Sequence, residues 1–111
     1  VSGYSVDNQN PSAVGDEAAL FSAVEAIAPN PFNPRTVITY QVTENQRVSL
    51  SIYDARGRLV RRLVEEPREA GRYRIAWDGC DDSSSPLPSG VYCCRLQSGG
   101  KVSMKKMTLI R

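Results

Sequence analysis

Val48-Ser49-Leu50-Ser51-Ile52-Tyr53-Asp54-Ala55-Arg56-Gly57-Arg58-Leu59-Val60 is the stretch that decides the fold. Val48, Leu50 and Ile52 alternate with Ser49, Ser51 and Tyr53. A period of two puts the first set on one face of a strand and the second on the other. Asp54-Ala55-Arg56-Gly57 then reads as a turn, with Gly57 free to take the positive φ that such turns often need. A second strand runs from Arg58 to Val64. Its apolar residues Leu59, Val60, Leu63 and Val64 are irregularly spaced, which predicts a bulge or bend near Arg61.

The same alternation extends in both directions. Upstream, residues 36–42 place Ile38, Tyr40 and Val42 on one face, with Thr39 and Gln41 opposite. Downstream, residues 72–77 place Tyr73, Ile75 and Trp77 inward, and residues 91–96 alternate again. Ser98-Gly99-Gly100 reads as a hairpin turn into a last strand over residues 101–110. Trp77 is the largest core side chain, and its indole N–H needs an acceptor. Ahead of these strands, Ala28-Pro29-Asn30-Pro31-Phe32-Asn33-Pro34 carries three prolines in six residues. These remove three backbone donors, so neither helix nor ladder runs through it. Phe32, its only large apolar side chain, is expected to plug the end of the core. Residues 1–19 read as a polar linker or tail, and residues 20–111 as the domain. Residues 16–27 are ambiguous: Asp16 could cap a short helix, or a first strand could run from about Leu20 to Ala28 and end at Pro29; the all-β character of the chain downstream favours the strand. Six or seven short strands without a secure helix predict an all-β antiparallel sandwich or a small barrel.

Composition narrows the function. The chain has 111 residues, Lys+Arg 14, Asp+Glu 12 and no His. The absence of His removes Ser-His-Asp and Cys-His machinery and any imidazole ligand. A net charge of +2 is no footprint for nucleic acid, which is bound by clustered cations that displace counterions. No apolar run approaches the ~20 residues of a membrane-spanning helix. Asp78, Asp81 and Asp82 could hold a hard cation, but no bidentate Glu lies downstream at the right spacing. Backbone capping by Asp78 and Asp81 is the simpler expectation, and no metal or other cofactor is expected. Glu65, Glu66 and Glu69, beside Pro67 and Gly71, read as an exposed loop. The basic run Arg56, Arg58, Arg61 and Arg62 reads as a solvated edge. Cys94 falls on the core face of its strand and Cys93 on the outer face. Cys93 could meet Cys80 in a disulfide if the intervening loop folds back; a free Cys93 or an intermolecular bridge is the alternative.

The motifs then converge on a family. Pro29-Asn30-Pro31-Phe32-Asn33-Pro34 and Ile52-Tyr53-Asp54-Ala55-Arg56-Gly57-Arg58-Leu59-Val60 are succeeded by Ala70-Gly71-Arg72-Tyr73. Trp77-Asp78-Gly79-Cys80-Asp81, Ser89-Gly90-Val91-Tyr92 and the end from Lys105-Lys106-Met107 to Arg111 complete the series. In that order and spacing, from about Ala28 to Arg111, the chain resembles the C-terminal sorting domain of type IX secretion cargo. It is equally similar to the immunoglobulin-like domain of flagellar hook-capping proteins.

The resemblance implies an immunoglobulin-like antiparallel β-sandwich of about seven strands. It implies a non-enzymatic sorting and anchoring module of a secreted bacterial surface protein, read as a folded unit by outer-membrane secretion machinery. Gly90, Val91, Tyr92, Lys106, Leu109 and Arg111 match the family's motif positions and are the candidate recognition residues. The last strand could offer the edge that is read. The alternative is a structural or assembly subunit, an extracellular filament or capping scaffold. In that case edge strands of neighbouring subunits pair, with the tail (Tyr4 and Val6 alternating with Ser5) as one partner. Ser83-Ser84-Ser85 and the three cysteines depart from the family pattern.

Overall fold

The computed structural model describes residues 22–111. Within them the chain forms seven strands: β1 (Ala23–Ala28), β2 (Thr36–Val42), β3 (Gln46–Asp54), β4 (Leu59–Arg68), β5 (Gly71–Trp77), β6 (Gly90–Ser98) and β7 (Lys101–Leu109). No helix occurs among the described residues. The tail over residues 1–19 and its boundary at residue 20 lie outside them. The strands make two antiparallel sheets, ordered β1-β2-β5 and β4-β3-β6-β7.

Alternation writes the core. Ile38, Tyr40 and Val42 of β2 face Val48, Leu50 and Ile52 of β3 and Tyr92, Cys94 and Leu96 of β6 across the interior, and all are buried. Each strand thereby hides one apolar face and leaves the other to solvent, the arrangement that period-two sequences can satisfy only in two layers. Phe32 is buried as expected, with its ring 5.6 Å from that of Trp77. Trp77 in turn meets Tyr92 edge-on at 5.8 Å, so three aromatic rings seal one end of the core in geometries that their quadrupoles favour. The indole N–H of Trp77 donates to the Cys80 carbonyl at 3.0 Å.

The irregular apolar spacing of β4 has the cause read from sequence. Its register against β3 slips twice, skipping Leu63 and Val60 on either side of Arg61 and Arg62. The slips let Val64 turn into the core. One expectation is corrected here. Glu65, Glu66 and Pro67 do not form a loop; β4 runs on through them to Arg68, opposite the start of β3. A proline is tolerated because β4 is the sheet's outermost strand and no further neighbour requires its N–H.

Candidate functional site: the closed end of the sandwich

The six candidate residues come together. Gly90 pairs with Leu109, Val91 with Thr108, Tyr92 with Met107 and Cys93 with Lys106, so the start of β6 and the end of β7 form one patch of ladder. Leu109 and Tyr92 point into the core, while Val91 and Lys106 point out. Tyr92 ends in a hydrogen bond from its hydroxyl to the Pro88 carbonyl at 2.7 Å. Burial pushes its phenol pKa up, the nearby Asp54 charge adds to the shift, and Arg111 opposes it.

Arg111 is a clasp. Its backbone N–H donates to Ser89 Oγ at 2.8 Å, its Nε to the Leu87 carbonyl at 2.5 Å and its Nη2 to the Gly79 carbonyl at 2.7 Å. One side chain thus ties the end of the chain to both ends of the loop between β5 and β6. Gly79 also receives the Leu87 N–H on its carbonyl, and takes φ +74°. A Cβ at that position would sit 3.0 Å from the Pro34 carbonyl.

The rest of the loop is held by its acids. Asp81 Oδ1 accepts the N–H groups of Ser83 and Ser85 at 2.9 Å each, and Asp78 Oδ1 accepts that of Cys80 at 3.1 Å. Asp82 Oδ1 accepts the Arg62 N–H at 3.0 Å, and Arg61 Nη1 reaches the Cys80 and Asp81 carbonyls. These are the backbone-capping roles expected of Asp78 and Asp81. Asp54 does the same at the β3–β4 turn. Its Oδ1 accepts the Arg56 and Arg58 N–H groups at 2.9 Å and its Oδ2 the Arg58 Nε at 3.0 Å. Those bonds to the charged form hold its carboxyl below the ordinary aspartate value, the Arg58 N–H contributing most.

Two points bear on what the sequence left open. First, Cys80, Cys93 and Cys94 are free thiols, one of the alternatives for Cys93. Cys80 lies against β4 beside Arg61, while Cys93 sits on β6, and β3 runs between those two strands. The loop folds towards β4 and so does not bring the pair together. Burial pushes the Cys94 thiol up to about 12. Second, the upper edge of β7 is covered, where an open edge had been expected. Phe32 pairs with it in parallel, its N–H donating to the Thr108 carbonyl at 2.9 Å and its carbonyl accepting from Ile110 at 2.8 Å. Asn30 Oδ1 accepts the Thr108 N–H at 2.9 Å and its Nδ2 donates to the Lys106 carbonyl at 3.3 Å. Sequence reasoning missed Asn30, Leu87 and Ser89 as members of this site. Asn30 alone left a signal, since an asparagine between two prolines must find its partners with its side chain.

Among the described residues no three His, Cys, Asp or Glu side chains converge as a metal site would need. No helix there is long and apolar enough to cross a membrane.

Two face-to-face antiparallel sheets with a clasped end define the class: an immunoglobulin-like β-sandwich. The family model described as the FlgD Ig-like domain matches residues 33–101, and the chain belongs to that family. The match stops short of Lys106, Leu109 and Arg111. No curated protein matches the chain. Among solved structures the chain is similar to the dimeric latent PorU of Porphyromonas gingivalis. That likeness has 23% identity and a TM-score of 0.62, over 80% of this chain and 9% of PorU. It is similar to FlgD of P. aeruginosa at 23% identity and a TM-score of 0.55, over 78% of this chain and 65% of that one. It is also similar to PorZ, an essential surface component of the type IX secretion system of P. gingivalis. There the identity is 20% and the TM-score 0.52, over 78% of this chain and 11% of PorZ. The chain therefore corresponds to one part of each of these longer proteins, and at these identities the likeness is one of fold.

Proposed function

We propose that the chain is a non-enzymatic sorting and anchoring module, recognised as a folded domain by outer-membrane secretion machinery and delivered to the cell surface or beyond. The observation that carries this reading is the clasped end. Gly90, Val91, Tyr92, Lys106, Leu109 and Arg111 form one rigid platform built from backbone ladder, three aromatic rings and a guanidinium tied to the loop between β5 and β6. A receptor that reads a folded signal needs such a preorganised surface, because ordering a loose one on binding costs affinity. The similarity in fold to PorU and PorZ agrees with it. The test is to fuse the chain to the C-terminus of a passive periplasmic reporter in a bacterium with type IX machinery. The reporter is expected at the surface or in the medium, and Arg111→Ala is expected to reduce export. A reporter that stays in the periplasm would refute the reading.

A second reading is a structural or assembly subunit. It is favoured by membership of the FlgD Ig-like family and by β5, an outermost strand of its sheet. Here edge strands of neighbouring subunits pair. Long polymers in negative-stain images would favour it over the first.

A further inference from the structure

The outer face of the four-stranded sheet carries positive charge that the fold does not use. Pairing sets Arg62 of β4, Ser51 of β3, Arg95 of β6 and Met104 of β7 in one row across the sheet, and Leu59, Tyr53, Cys93 and Lys106 in the next. Alternation turns both rows outward, since Leu50 and Ile52 beside Ser51, and Cys94 and Leu96 beside Arg95, are buried in the core. Ser51 is nevertheless only 5% exposed, with an arginine as its neighbour on either side. No carboxylate among the described residues lies within ion-pair distance of the Arg62, Arg95 or Lys106 side chains. Arg95 Nη1 donates to Gln97 Oε1 at 3.2 Å, a neutral partner. The acids on or beside this face are engaged: Glu65 with Arg47, Asp54 with Arg58, and Asp82 with Arg61 and the Arg62 backbone. Between Tyr53, Ala55, Cys93 and Met104 an open groove of about 400 Å³ runs beside Arg95. Met104 is 60% exposed there.

We propose that this face binds an acidic peptide segment of a partner protein. One apolar side chain of the segment sits in the groove against Tyr53 and Met104, and flanking carboxylates meet Arg62, Arg95 and Lys106. Charge complementarity carries the choice. Three cations without acids repel one another, and an anionic partner is what turns that repulsion into attraction. Tyr, Met and Arg are the residue types over-represented where proteins meet, and the unbranched thioether chain of Met adapts to what it touches. Size carries the rest. Two rows over four strands cover about 15 by 7 Å. That is the footprint of a few extended residues and falls well short of the ~800 Å² per partner of a standard interface between folded domains. An anionic membrane is a poorer occupant, since surfaces that bind one by charge gather roughly four to eight cations. A second copy of the same face would set these cations against their own kind. The proposal goes beyond the reading of the closed end and stands independently of it.

The chain's two methionines make the test direct. Met104 lies on the face and Met107 in the core, so methyl-labelled full-length protein carries one reporter and one internal control for NMR. Random dodecapeptides displayed on phage and selected on the parent are expected to converge on acids flanking a large apolar residue. The selected peptide, made synthetically, is expected to shift the Met104 methyl resonance and leave that of Met107 in place. Arg62→Glu/Arg95→Glu is expected to bind the peptide about tenfold more weakly, because like charges then oppose each other across the contact. The Met107 resonance of that variant, unmoved from the parent's, shows its core intact. Met104→Ser is expected to weaken binding while the loss of affinity with added salt persists. A selection that yields no peptide, or a peptide whose affinity the charge reversal leaves unchanged, overturns the proposal. A Met104 resonance that moves with protein concentration alone also overturns it and assigns the face to a second copy. One that moves with phosphatidylglycerol vesicles but not with the peptide overturns it in favour of a membrane.

Discussion

Gly79 shows how much one residue type decides at the closed end. Its φ of +74° is a backbone conformation that disfavours a side chain, and a Cβ there would press on Pro34 and on Arg111 Nη2. Gly79→Ala is therefore expected to cost about 1–2 kcal/mol, the penalty of left-handed backbone for an L-residue. It should also loosen the Arg111 clasp, and urea unfolding of the variant would show the loss as a lower midpoint with unchanged slope. Asp54 makes a prediction of another kind. Its folded carboxyl is held below the unfolded value of 3.8. The unfolded chain thus takes up its proton first as the solution is acidified. Asp54 stabilises the fold at pH values above the unfolded value, and that contribution is lost as pH falls through the folded one. The urea midpoint of the parent should fall more steeply than that of Asp54→Asn as pH drops below the unfolded value of 3.8. Parallel profiles would show that the turn contributes nothing through its charge.

Within the elements, local chemistry predicted what local chemistry decides. The strands β2, β3, β5 and β6 were legible because Val48-Ser49-Leu50-Ser51-Ile52 and its kin alternate with a period that only a half-buried strand uses, and β7 from the Ser98-Gly99-Gly100 turn before it. The turn at Asp54 was legible from its turn residues, Gly57 above all, and the bulges around Arg61 from the break in that period. Pro67 misled, because whether a proline ends a strand depends on whether another strand lies beyond it, and that neighbour is set by the fold. The partners of Asn30 were hidden for a related reason: Lys106 and Thr108 lie more than seventy positions away, and no period in the sequence links them. The consequence can be measured. Asn30→Ala removes two hydrogen bonds from the upper edge of β7 and should cost about 1–3 kcal/mol. The Thr108 amide, bonded to Asn30 Oδ1, is expected to exchange slowly with deuterium in the parent and, in the variant, at a rate nearer that of an open edge.

At the level of the whole molecule, the six candidate residues were legible as family motifs but their assembly was not, since sequence gives no strand order. The order β4-β3-β6-β7 is what puts Gly90 beside Leu109 and keeps Cys80 from Cys93. It also leaves the four outermost strands unequally guarded. Asn30 and Phe32 cover the upper part of β7, the Asp82 N–H donates to the Val60 carbonyl on β4, and Val24 of β1 donates to Ser103 on β7. β5 pairs with β2 on one side and is outermost on the other, with Arg72 and Arg74 exposed along it; charge on an outermost strand opposes its pairing with a copy. Arg74 lies at the centre of Gly71–Trp77. A second β5 added antiparallel about that centre would set Arg74 against its own copy, and like charges directly opposed destabilise a pairing. Arg74→Val replaces that repulsion with two β-branched side chains, which favour a shared ladder. Sedimentation velocity should then show a concentration-dependent dimer in the variant and a smaller species in the parent. An unchanged distribution would mean that β5 is guarded by something other than charge, and a parent that already polymerises would move the balance towards the assembly reading.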